Sequence, residues 1–137
     1  MFNFFRKNGF YGLRGYRQMI YTLIPFDRAK EMIEKKEALI IDVRSKEEFD
    51  VMHIINSTNI SLDELTIKIQ NVDKNQKIIV YCATGTRSKK AIQLLNSLGY
   101  NNIYIWEYAS LANFPYKNLI VTVRGVGYKF EEIKEFV

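Results

Sequence analysis

Cys82 is the only cysteine in the 137 residues of the chain, and it stands where a strand should hand over to a helix. The apolar run Lys77-Ile78-Ile79-Val80-Tyr81 ends against it and predicts a buried strand. Beyond it, Ala91, Leu94, Leu95 and Leu98 recur at helical spacing, with Gly99 placed as a C-terminal stop. The loop between them is Cys82-Ala83-Thr84-Gly85-Thr86-Arg87. A curl this tight turns backbone N–H groups inward as an anion-binding nest, and the helix that follows adds the positive end of its dipole. Arg87 brings a full cation, and Lys89 and Lys90 add positive potential. Together these features favour thiolate over thiol, so a lowered thiol pKa is expected. Gly85 permits a dihedral that a Cβ would forbid. The residues therefore predict a nucleophilic sulfur, Cys82. Ala83, Thr84, Gly85, Thr86 and Arg87 form a candidate binding site for an anion or a polarised sulfur.

The surrounding sequence alternates strand and helix signals. Ala38-Leu39-Ile40-Ile41-Asp42-Val43 reads as a strand covered on both faces. Ser45 and Glu48 form a capping box that opens a short helix. Residues 53–60 read as a loop and a short strand. Ser61 and Glu64 form a second capping box, opening a helix to about Gln70. Asn102 to Trp106 reads as a further strand, with Trp106 in the core. Upstream, a short strand is expected around Thr22, stopped by Pro25, and Asp27 is the expected cap of a helix reaching Lys36. This order predicts an α/β fold with a small parallel β-sheet flanked by helices on both faces. Ligands bind at the carboxyl ends of the strands in such sheets, which is where Cys82 falls. Asp42 and Arg44, at the end of a neighbouring strand, are expected to pair as structural support. His53 is the only histidine and cannot build a metal site alone.

Three segments in register resemble the rhodanese family of single-domain sulfurtransferases. Leu39 to Arg44, Glu47-Glu48-Phe49, His53-Ile54 and Asn59-Ile60 resemble its first signature. Cys82 to Ser88 resembles its active-site pattern Cys-x-x-Gly-x-Arg-Ser, which adds Ser88 to the candidate binding residues. Asn102-Ile103-Tyr104 and Asn113-Phe114-Pro115-Tyr116 resemble its closing segment. The resemblance spans about residues 22–118. It implies that Cys82 takes a sulfane sulfur from thiosulfate or a related small anionic donor. The resulting persulfide is held by the loop amides and passed to a thiol or cyanide acceptor, while Arg87 steers the donor. No metal or organic cofactor is implied. There are departures. Met52 stands where the family usually has Gly before the His-Ile pair, and Ile55-Asn56-Ser57 stands for Pro-Gly-Ala. Tyr108-Ala109-Ser110 follows Glu107 where the family usually has Gly-Gly. The alternative function is a catalytically weak rhodanese-fold module that docks on a protein or membrane surface. Phosphatase chemistry is disfavoured, because four residues separate Cys82 from Arg87 where the phosphatase loop has five.

Composition sets the outer bounds. The chain is 47% hydrophobic and 14% aromatic, enough for one ordered core. Its net charge of +5 resides in residues 1–30, where Arg6, Lys7, Arg14, Arg17, Arg28 and Lys30 face Asp27 alone. The charges of residues 31–137 cancel, which argues against a nucleic-acid-binding surface on the core. Residues 1–21 read as a basic aromatic arm, for which a membrane surface is a disfavoured partner. Residues 119–137 read as a C-terminal extension with a hairpin returning through Tyr128-Lys129-Phe130. One cysteine permits no intrachain disulfide, and no apolar run is long enough for a transmembrane helix or a signal peptide, so the cytoplasm is the expected compartment.

Overall fold

The computed structural model describes residues 19–122. Among these residues, strands β1 (Thr22–Leu23), β2 (Leu39–Asp42), β4 (Ser57–Asn59), β5 (Ile78–Tyr81) and β6 (Ile103–Ile105) form a parallel sheet in the order β1-β6-β5-β2-β4. β5 lies at its centre, and all four of its residues are buried. Alternation along the strands divides the core in two. Ile41, Ile78, Val80 and Cys82 face helices α3 (Leu65–Lys68) and α4 (Thr86–Ser97), where Leu65, Ile69, Ala91, Ile92 and Leu95 meet them. Ile40, Ile79 and Tyr81 face the other way, toward Ala29, Met32 and Ile33 of α1 (Phe26–Glu34), with Trp106 and Phe114. The expected sheet with helices on both faces is therefore present. Each fully buried Ile or Leu contributes roughly 1.5–3 kcal/mol to holding these layers together.

The ends of the elements follow local chemistry, not always the expected one. α1 begins after Pro25, whose extended backbone (φ −64°, ψ 158°) serves as its N-cap; Asp27 lies inside the first turn and does not cap. α2 (Lys46–Val51) has the expected capping box: the Glu48 N–H donates to Ser45 Oγ at 3.2 Å, and the Ser45 N–H donates to Glu48 Oε1 at 3.0 Å. The second box does not form. The Ser61 hydroxyl donates instead to the carboxylates of Asp63 and Glu64, at 2.7 and 3.2 Å. A three-ten turn over Leu62–Glu64 leads into α3, which ends at Lys68, short of Gln70. Gly99, at φ 97°, terminates α4 as expected.

Packing runs past residue 118. Leu119 is buried beside Ile54, and β7 (Ile120–Thr122) pairs antiparallel with β3 (Met52–Ile54). At the other end, Met19 packs on the α4 face, and the Ile20 N–H donates to Asn96 Oδ1 at 2.7 Å. The arm before Met19 and the hairpin through Tyr128 lie outside the described residues. No helix among the described residues is long and apolar enough to cross a membrane.

Candidate active site

Cys82 leaves the central strand and is held from both sides by the segment after β6. Its N–H donates to Ala109 O at 3.1 Å, and its carbonyl accepts the Leu111 N–H at 2.7 Å. The side chain is buried, at 1% exposure. Two backbone donors converge on Sγ: the N–H of Gly85 at 3.0 Å and that of Ser88 at 3.2 Å. This is the inward-turned loop expected from the sequence, and its donors favour negative charge on sulfur. Ser88 Oγ lies 3.5 Å from Sγ and donates its own proton to Gly85 O at 3.0 Å. Sγ is therefore gripped by groups within its own loop.

The other expected loop residues fall around this grip. Ala83 is half-buried, and its carbonyl accepts the Ala112 N–H at 3.1 Å. Thr84 and Thr86 are exposed at the rim. Gly85 has φ 109°, and a Cβ there would stand 2.6 Å from the Tyr108 carbonyl oxygen. Both the dihedral and the space demand glycine.

Arg87 is placed differently from the simple expectation. Its guanidinium forks onto Glu48, Nη1 to Oε1 at 2.7 Å and Nη2 to Oε2 at 3.0 Å, and among the described residues it makes no hydrogen bond to Sγ. Hydrogen bonding to Arg87 is the largest influence on Glu48 and holds its carboxyl down to about 2, against the opposing effect of partial burial. The same contact raises Arg87 above its ordinary value. The cation of the loop is thus already paired, to a residue that the capping box and the Glu47-Glu48-Phe49 segment mark without linking it to Arg87. The two side chains are 37% and 36% exposed, so the pair sits in reach of solvent and solutes.

Asp42 and Arg44 form the expected pair. Arg44 Nε and Nη2 donate to both Asp42 oxygens at 2.8–3.1 Å, and Nη2 also donates to Met52 O at 2.7 Å. Tyr81 packs beside them, with its hydroxyl accepting the Ile54 N–H at 3.0 Å; burial pushes its pKa upward. His53 stacks on Phe49, with Nδ1 2.8 Å from the Phe49 carbonyl, which is a structural engagement. Trp106 is fully buried, as expected.

The segment after β6 has an unusual backbone. Tyr108 and Ala109 both adopt left-handed backbone, at φ 67° and 48°. These are the positions where Gly-Gly would be usual in the resemblance. Each non-glycine residue there costs roughly 1–2 kcal/mol. Ala109 is buried and its carbonyl receives the Cys82 N–H, so its strain is tied to placing the cysteine.

The chain matches the family model described as "Rhodanese-like domain" over residues 26–109. The thiosulfate sulfurtransferase GlpE of Coxiella burnetii is 30% identical over 86 residues, covering 63% of this chain and 80% of that protein. The tRNA uridine(34) hydroxylase of Erwinia tasmaniensis is 31% identical over 112 residues, but this chain spans only 31% of it. Among solved structures, a rhodanese-related protein from Thermoplasma volcanium has a TM-score of 0.54 at 35% identity, covering 63% of this chain and 83% of that one.

Proposed function

We propose that this chain, which belongs to the rhodanese-like domain family, is a sulfurtransferase that works through a Cys82 persulfide. The observation that carries the reading is the convergence of the Gly85 and Ser88 N–H groups on Cys82 Sγ. Donors fixed in that direction stabilise the thiolate before reaction and require no reorganisation during it. The thiolate attacks the sulfane sulfur of thiosulfate or a related donor. The donor S–S bond breaks, and sulfite leaves with the bonding pair. The Cys82 persulfide then gives its outer sulfur to a thiol or cyanide. The half-exposed guanidinium of Arg87 faces the anionic donor, which competes with Glu48 for it. The similarity to GlpE over most of that protein's length supports this substrate class.

Cys82→Ser tests the reading. Serine keeps the shape of the site but offers a hydroxyl far from ionisation at neutral pH. Cyanide-dependent consumption of thiosulfate should vanish in the variant while its circular dichroism spectrum is unchanged. Turnover in the wild type no faster than in Cys82→Ser would favour a rhodanese-fold binding module instead.

A further inference from the structure

The strain at Tyr108 is not explained by packing. The residue is 68% exposed, so burial does not offset the left-handed backbone (φ 67°), and glycine would occupy the position without strain. What the turn does is bring Tyr108 against the sulfur loop. Tyr108 Cβ lies 3.9 Å from the position that a Cβ on Gly85 would take. Tyr108 lines an open cleft of about 230 Å3, whose apolar lining includes Tyr21, Leu23, Ile92 and Ile105. Gly85 and Ser88, whose N–H groups hold Cys82 Sγ, line the same cleft. Tyr21 and Leu23 are themselves 41% and 60% exposed.

Resting on the sulfurtransferase reading, we propose that Tyr108 is a specificity-determining residue that favours sulfur acceptors carrying an apolar or aromatic group next to the thiol. The occupant of the cleft follows from its chemistry. The charged residues of its lining, Lys89 and Glu107, carry opposite signs, so it offers no net attraction to the anionic donor. Its volume is below the roughly 300 Å3 at which pockets for whole drug-sized ligands begin, and suits a single apolar group. Anything seated there lies against the loop that holds the persulfide. The acceptor thiolate attacks the outer sulfur of the Cys82 persulfide. A new S–S bond forms on the acceptor, the bond to Sγ breaks, and its electron pair remains on Cys82 as thiolate. The proton of the outer sulfur stays with the product, and no oxidant or reductant is consumed.

The test uses the full chain loaded with thiosulfate, freed of donor, and mixed with benzyl mercaptan or with cyanide. The loss of persulfide is followed by intact mass. The ratio of the two rates is expected to fall about tenfold or more in Tyr108→Gly, the scale on which a hydrophobic pocket discriminates. Tyr108→Phe should keep the wild-type ratio. Glycine suits the backbone at this position, so the variant should fold, with a melting temperature at or above that of the wild type. A wild-type ratio in Tyr108→Gly overturns the proposal. If the wild type never loads, it is the sulfurtransferase reading that fails. The cleft is then judged by benzyl alcohol, which should shift the methyl resonances of Leu23 and Ile92 in the wild type and not in Tyr108→Gly. The absence of such shifts in the wild type overturns the cleft assignment as well.

Discussion

Two arginine–carboxylate pairs flank the sulfur loop, and they differ most in their exposure. Arg44 and Asp42 are 6% and 0% exposed; Arg87 and Glu48 are 37% and 36% exposed. In the buried pair, Asp42 also accepts the Arg44 N–H at 2.9 Å, and Arg44 reaches Met52 O, so the pair fixes how the chain turns from β2 toward β3. Burial opposes Arg44's charge most strongly, but its hydrogen bonds to Asp42 and the attraction of that carboxylate outweigh it. The outer pair has comparable geometry but stands in partial contact with water, where an ion pair is worth little to stability. Its guanidinium can be shared with an incoming anion at small cost. Geometry alone does not distinguish the two pairs; exposure does.

The sharpest way to break this contrast is Asp42→Asn. Removal of one charge leaves Arg44 buried without its counter-ion, which should cost about 3–5 kcal/mol, read as a lowered urea midpoint with sulfur transfer lost alongside the fold. A midpoint close to the wild-type value would mean that the inner pair is not architectural. Arg87→Ala should behave in the opposite way. Its stability should change by less than about 1 kcal/mol, while KM for thiosulfate rises several-fold and the difference shrinks as salt is added. An unchanged KM at low salt would remove Arg87 from donor binding.

The smallest effect sharpens the outer pair by pH. The Glu48 carboxyl titrates at about 2 in the fold against an ordinary 4.5. A depressed acid contributes stability that is present in full above 4.5 and is lost as pH falls toward 2. The gap in urea midpoint between wild type and Glu48→Gln should therefore be modest at neutral pH and close across that acid window. A gap that persists unchanged to the acid end of that window would assign it to packing or to the cap on Ser45, not to the Arg87 charge.

What the sequence made legible was local. The apolar run ending at Tyr81, the glycine at position 85 and the two-residue spacing of Asp42 and Arg44 all act through neighbouring backbone, so the strand, the inward-turned loop and the inner pair follow from short stretches. The link between Arg87 and Glu48 spans 39 residues and depends on where α2 lies against the loop, which no local pattern encodes. Ser61 shows the same limit in miniature. Its spacing to Glu64 suits a capping box, but the Asp63 carboxylate captures its hydroxyl. Tyr108 and Ala109 carry no turn signature of their own, because neither residue type favours left-handed backbone. Only their departure from Gly-Gly marked the position, and only the structure connects it to Gly85 and the cleft.

The most direct test of a persulfide on Cys82 is the intact mass of the full chain after incubation with thiosulfate and removal of the excess. Cys82 is the only cysteine, so a thiol adduct has one place to form. The expected result is a gain of one sulfur atom in the wild type, reversed by cyanide and absent in Cys82→Ser. An unchanged mass in folded wild-type protein, or the same gain in Cys82→Ser, would contradict the assignment of Cys82 as the sulfur carrier.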